Sequence, residues 1–166
     1  MSTLNVTTIQ DSAAAFEHAR LVQVVFAEDG DVATGTTTIP NDTSIPQNTD
    51  GTECLTRTIT PTNSSNNLLV QAICFISPPG GKYVAAAIFH DSVADALASS
   101  FSHAGTSEAE CLVISHLMAA GTTSEKTFKL RFGASTSGTN TLNGVSSGGY
   151  YGGSLATSIT ISEIRV

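Results

Sequence analysis

The chain has 166 residues, of which 13% are charged and 40% hydrophobic, with a net charge of −7 and no Trp. That length fits one domain with or without a short arm, and the hydrophobic share is too high for a disordered chain. An acidic chain without a basic cluster is a poor partner for a nucleic-acid backbone or an anionic membrane surface.

Residues 1–10 read as an extended arm, with no sustained period and no basic-then-apolar leader pattern. No apolar run approaches the ~18 residues of a membrane span. Residues 11–20 (DSAAAFEHAR) carry a short-helix pattern, with Asp11 or Ser12 as N-cap and alanines following.

From there the chain is punctuated by Gly, Asn, Asp, Ser and Pro clusters between runs rich in Thr, Val and Ile, the pattern of many short strands. Residues 18–27 predict a first core strand with Val22, Val24 and Phe26 on one face. Residues 32–39 predict a second, weakened at Gly35. The polar stretch 40–51, with Pro40 and Pro46, predicts a structured loop. Residues 52–60 alternate, with Leu55, Arg57 and Ile59 opposing Cys54, Thr56 and Thr58. Residues 68–77 (LLVQAICFIS) are apolar on both faces, which predicts a central strand covered on both sides, by the core and by a subunit interface. After PPGG at 78–81 come a strand at 82–90 and a stretch at 94–101 that periodicity leaves open between helix and strand. Further strands are expected at 111–118, at 126–131 with Phe128, Leu130 and Phe132 inward, at 139–142, and at 154–166 with Ile159 and Ile161 alternating against Ser158, Thr160 and Ser162. Together they predict an all-β fold, an antiparallel jelly-roll-like sandwich of about eight to ten strands with an extended N-terminal arm.

Candidate chemistry is thin. The three cysteines, Cys54, Cys74 and Cys111, are widely spaced and form no CxxC pair, so they read as free buried thiols suited to assembly in a reducing cytoplasm. His18, His90, His103 and His116 show no HxH or HxxxH spacing, so no metal site is expected; His116 shares a face with Leu112, Ile114 and Met118 and reads as half-buried. His90, Asp91 and Ser92 carry the residue types of a catalytic triad, but neighbours on a strand face opposite ways. Asp91, Asp95, Glu108 and Glu110 read as scattered solvated carboxylates, and no GxSxG elbow occurs. The Gly-rich stretch 144–153 lacks a P-loop Lys. Its Tyr150 and Tyr151 suit either an adaptable recognition surface, for a receptor glycan or protein, or a subunit seam. No catalytic residue, cofactor or metal ligand is assigned.

Two segments resemble known proteins. The opening MSTLNVTTIQD resembles the N-terminus of many phage tail-fibre and virion structural proteins. The stretches VVFAEDGDVATGTTTIPNDTSIPQNTDGTE, AAAIFHDSVADALA, AAGTTSEKTFKLRFGA and NGVSSGGYYGGSLATSITISEI resemble a module at the C-terminal end of phage fibre-like chains. Its most specific piece is IPxDxxIPQxTxG, carried by Ile39, Pro40, Asp42, Ile45, Pro46, Gln47, Thr49 and Gly51. The resemblance implies a non-enzymatic virion surface protein, a homotrimer with a jelly-roll-like head, assembled in the host cytoplasm. Residues 1–20 would then attach it to other tail or capsid proteins through Leu4, Val6, Ile9 and Phe16, and residues 21–166 would form the head. The leading expectation is a tail-fibre or spike-type head; the chain lacks the long shaft of a tail fibre, which raises a short spike or, as an alternative, a capsid decoration protein. A carbohydrate-binding module is the other.

Overall fold

The computed structural model describes residues 20–166. The arm residues Leu4, Val6, Ile9 and Phe16, and all of the expected short helix but Arg20, lie outside them. Twelve strands follow in chain order: β1 (Arg20–Asp29), β2 (Ala33–Gly35), β3 (Thr52–Ile59), β4 (Asn67–Ser77), β5 (Lys82–His90), β6 (Ala98–Ala104), β7 (Glu110–Ala119), β8 (Lys126–Ala134), β9 (Asn140–Leu142), β10 (Gly144–Val145), β11 (Gly148–Gly149) and β12 (Thr157–Arg165).

The eight long strands pair in a nested antiparallel order: β5 with β6, β4 with β7, β3 with β8, and β1 with β12. The chain is thus one long double ribbon whose bend lies between β5 and β6. Rolling that ribbon brings β12 beside β4 and β8 beside β5. The result is two facing four-stranded sheets, β1-β12-β4-β7 and β3-β8-β5-β6. This is the strand order of a jelly roll, as the sequence predicts. The short β9 and β2 extend the first sheet beyond the end of β12.

The sheets bury an aliphatic core with few aromatics. β8 contributes Phe128, Leu130 and Phe132, all pointing inward as their alternation predicts. Val70, Cys74 and Ile76 of β4, Ile114 of β7 and Ile159 and Ile161 of β12 face them from the other sheet. Truncating a buried ring such as Phe132 would cost ~3–5 kcal/mol through lost transfer energy and the cavity left behind. Of the stretch 94–101 left open between helix and strand, the part from Ala98 on belongs to β6, whose residues complete the ladder of β5 from Lys82↔Ala104 to Ile88↔Ala98, and 94–97 lead into it outside the strand.

Two sequence expectations are corrected. In β1 a bulge between Leu21 and Gln23 shifts the register, so Val25 and Ala27 pack on the core and Val24 and Phe26 face outward. β1 is therefore an edge strand with an apolar outer side. In β4 the core takes the face of Leu68, Val70, Ala72, Cys74 and Ile76, and the other face, where the sequence predicts a subunit interface, is open in the single chain, with Ile73 39% exposed. β2 ends at Gly35, because the chain then leaves the ladder and Ile39 donates its amide to Ala134 of the other sheet.

Candidate functional site

Three surface regions carry side chains not used by the core. The first is the outer face of the β1-β12-β4-β7 sheet. Directly paired residues share a face, and the register places Leu21, Val24 and Phe26 (β1), Ile73 (β4), and Val113 and Leu117 (β7) together on this one. All six are between 39% and 63% exposed. Ser158, Thr160, Ser162, Gln71 and Ser115 lie between them, and among the described residues Glu28, at one corner, is the single charged side chain of this face. Cys111 sits at its far edge, opposite Phe75, and is exposed.

The second region is a groove of about 160 Å³ between the 40–46 loop and the outer side of β5 and β6. Tyr83 and Phe101 form one wall, with ring centroids 6.2 Å apart, and the His103 ring stands edge-on to Tyr83 at 5.0 Å. Ala85, opposite Phe101, is small enough to form a floor. Pro40, Asn41, Asp42, Ser44 and Pro46 form the other wall, and Ser99, on the same face as Phe101, adds a hydroxyl. The Ser44 hydroxyl and amide both donate to Asp42 Oδ1, which holds that carboxyl below the usual carboxylate range.

The loop wall belongs to the stretch 39–51, and its bonds show what holds that stretch in place. Ile39 is buried. Gly51 turns with φ +65, where an added Cβ would lie 2.9 Å from the Ile39 side chain. Asp50 accepts the Gln47 amide at 2.8 Å, and Gln47 Nε2 donates to Asp95 Oδ1 at 2.9 Å. Asn48 and Ala96 exchange backbone bonds with the 94–97 segment and Pro46. From β8, Arg131 donates through Nε to the Asp50 carbonyl at 2.7 Å and through Nη2 to the Gly51 carbonyl at 2.9 Å. The loop is structured, as its prolines predict.

The third region is the Gly-rich stretch. β10 and β11 form a hairpin whose turn residues, Ser146 and Ser147, both have positive φ. Tyr150 and Tyr151 follow, 47% and 80% exposed, with ring centroids 6.1 Å apart. They contribute to neither of the other two regions.

The remaining sequence candidates have structural partners. His90 Nδ1 lies 3.1 Å from Asp91 Oδ2, contrary to the expectation that the two point apart. The strand ends at His90 and Asp91 has φ +50, so alternation no longer applies. Asp91 also accepts the Thr127 amide and faces Lys126, which ties the end of β5 to β8. Asp95, Glu108 and Glu110 accept from Gln47, the Gly105 amide and Ser102. His116 is half-buried, as its face predicts. The cysteines are not uniformly buried: Cys74 is, Cys54 is half-buried and Cys111 is exposed. Burial pushes the Cys74 thiol well above its ordinary range.

Sequence reasoning missed Glu163. Its side chain is fully buried, yet ionised: Asn66 Nδ2 and Gln23 Nε2 donate to it at 2.6 Å, and the Thr62 hydroxyl and amide at 2.8 and 2.9 Å. Burial alone would raise its pKa, but these donors prevail and bring it down to about 2. Extending the Ile159, Ile161 alternation by one step lands on Glu163, a signal for an inward carboxylate that was available in the sequence.

No protein-family model and no curated protein matches the chain. Among solved structures it is similar to Eiger TNF from S. frugiperda, at 9% identity and TM-score 0.47, covering 87% of this chain and 93% of that one. It is also similar to the carbohydrate-binding module CBM36 in complex with calcium and xylotriose, at 15% identity and TM-score 0.38, covering 83% and 99%. A third is the VP2 subviral particle of infectious bursal disease virus, at 12% identity and TM-score 0.39, covering 87% and 40%. At these identities no function transfers. Among the described residues no helix is long and apolar enough to cross a membrane, and no three His, Cys, Asp or Glu side chains converge as metal ligands.

Proposed function

We propose that this chain is a non-enzymatic structural protein of a phage virion: a surface head that assembles with copies of itself, as a homotrimer, and joins the particle through residues 1–20. The observation that supports it is the outer face of β1-β12-β4-β7. Exposed apolar residues scattered singly need no explanation, but a contiguous set across four strands does. Strands ~4.8 Å apart and about ten residues long give this sheet roughly 500 Å² of flat area. Side-chain relief brings that toward the ~800 Å² each partner contributes to a specific interface. The occupant best suited to it is a second copy of the chain. Covering a face of Val, Leu, Ile, Phe, Ser and Thr desolvates almost no charge, whereas docking a charged partner would leave its ions unpaired.

On this reading the loops at the opposite side of the head meet the host surface. The phage assignment rests on the sequence resemblance, with a tail-fibre or spike-type position as the first reading and a capsid decoration protein as the second. Deleting residues 1–20 tests the division of roles: the head should keep its far-UV spectrum and its mass, and no longer co-purify with particles. A truncated chain that still incorporates would overturn it. Copy number per particle separates the two readings, tens for a tail position against hundreds for a head lattice.

A further inference from the structure

We propose that the groove between the 40–46 loop and β5–β6 binds a neutral saccharide ring. A sugar ring has a face of C–H groups and a rim of hydroxyls, so its site needs an exposed aromatic face and short polar side chains close by. The groove supplies both. Tyr83 is 43% and Phe101 66% exposed, side by side, and neither ring is needed to fill the core. Across from them Asp42 offers a carboxylate whose Oδ1 is occupied by Ser44 and whose Oδ2 is left to accept ligand hydroxyls. Ser99, beside Ala85, adds a hydroxyl that both donates and accepts.

Charge selects the class of ligand. Among the described residues no Lys or Arg lines the groove and Asp42 does, so phosphorylated, sulfated or sialylated groups are repelled. Size agrees with a single ring, because the groove is smaller than the ~300 Å³ at which pockets for drug-sized ligands begin. The walls are set before the ligand arrives. The 40–46 loop is held at its two ends, by the Ile39 amide on the Ala134 carbonyl and the Ala96 amide on the Pro46 carbonyl, and the β5–β6 ladder fixes the strands that carry Tyr83 and Phe101, which lowers the ordering cost of binding. Tyr150 and Tyr151, the sequence candidates for this role, stand on a Gly-rich turn outside the groove.

The proposal deepens the host-contact part of the function above and rests on that reading only for its setting. Binding is measured on the isolated full chain, so its failure leaves the assembly measurement untouched. The experiment is an NMR titration with lactose, maltose and N,N′-diacetylchitobiose, and with sialyllactose as the anionic control. At least one neutral disaccharide should shift the amides of Asp42, Tyr83, Ser99 and Phe101, and sialyllactose should not. Phe101→Ala, which removes an exposed ring and leaves the fold intact, should weaken binding roughly tenfold, the loss of one ring contact. Asp42→Asn should weaken it less, and Tyr151→Ala should leave it unchanged. Shifts centred on Tyr150 and Tyr151, equal binding of sialyllactose, or no groove shift with any of the three neutral sugars at millimolar concentration would overturn the proposal.

Discussion

Replacing Glu163 by Gln separates charge from shape at the most unusual buried group of the head. The carboxylate joins the end of β12 to β1 through Gln23 and to the 62–66 turn through Thr62, Asn63 and Asn66. A Gln can place its oxygen where Oε1 lies and keep the Thr62 and Asn66 donors. Its amide then meets the Gln23 amide donor to donor, and every bond loses its charge assistance. The folded-state value of about 2, against an ordinary 4.5, means that ionised Glu163 stabilises the native state. That contribution is fully present above pH 4.5 and is lost as pH falls toward 2. The full difference corresponds to ~3 kcal/mol, and water near this end of the sandwich reduces it to ~2 kcal/mol. Urea unfolding of both chains at one protein concentration should therefore show E163Q about 2 kcal/mol less stable at pH 7, with the gap closing near pH 2. A gap that persists unchanged at acid pH, or none at pH 7, would refute the reasoning.

Three further outcomes follow from the same structure. Arg131→Ala should free the 47–51 segment, raising its amide exchange and costing ~2 kcal/mol, and Arg131→Lys should not restore it because an ammonium cannot span both carbonyls. Gly51→Ala should cost ~2 kcal/mol by denaturant unfolding, since φ is +65 and the new Cβ meets Ile39 and the Phe132 carbonyl. Maleimide should label Cys111 before Cys54 and reach Cys74 only on unfolding. If the outer face is an interface, diluting the assembly should speed Cys111 labelling.

Much of the fold is legible in the sequence because alternation reports burial wherever one face is wet. Phe128, Leu130 and Phe132 on β8, and Ile159 and Ile161 on β12, are assigned to the core on that ground and are found there. The same rule misplaces β1, where a single bulge reverses which residues point inward and exposes Val24 and Phe26. It cannot tell which of two apolar faces of β4 the core takes, because hydrophobicity alone does not say whether the cover comes from the same chain. The groove is not readable in advance. Tyr83 and Phe101 meet through the register of β5 and β6, and the loop that carries Asp42 is set across from them by bonds at its ends to residues distant in sequence, Ile39 to Ala134 and Ala96 to Pro46. Tyr150 and Tyr151 attract notice as adjacent aromatics among glycines, yet neither lines the groove of Tyr83 and Phe101.

On the proposed function, the sheet of β1, β12, β4 and β7 carries a neighbouring copy of the chain on its outer face. The measurement that tests it most directly is the solution mass of the full chain by size-exclusion chromatography with light scattering. It is taken beside that of the Val113→Asp, Leu117→Asp variant, whose changes lie at exposed positions of that face. The account predicts a stable mass of three chains for the natural sequence and a single folded chain, with an unchanged far-UV spectrum, for the variant. A natural chain that is monomeric at every concentration, or a variant that still forms the trimer, would contradict it.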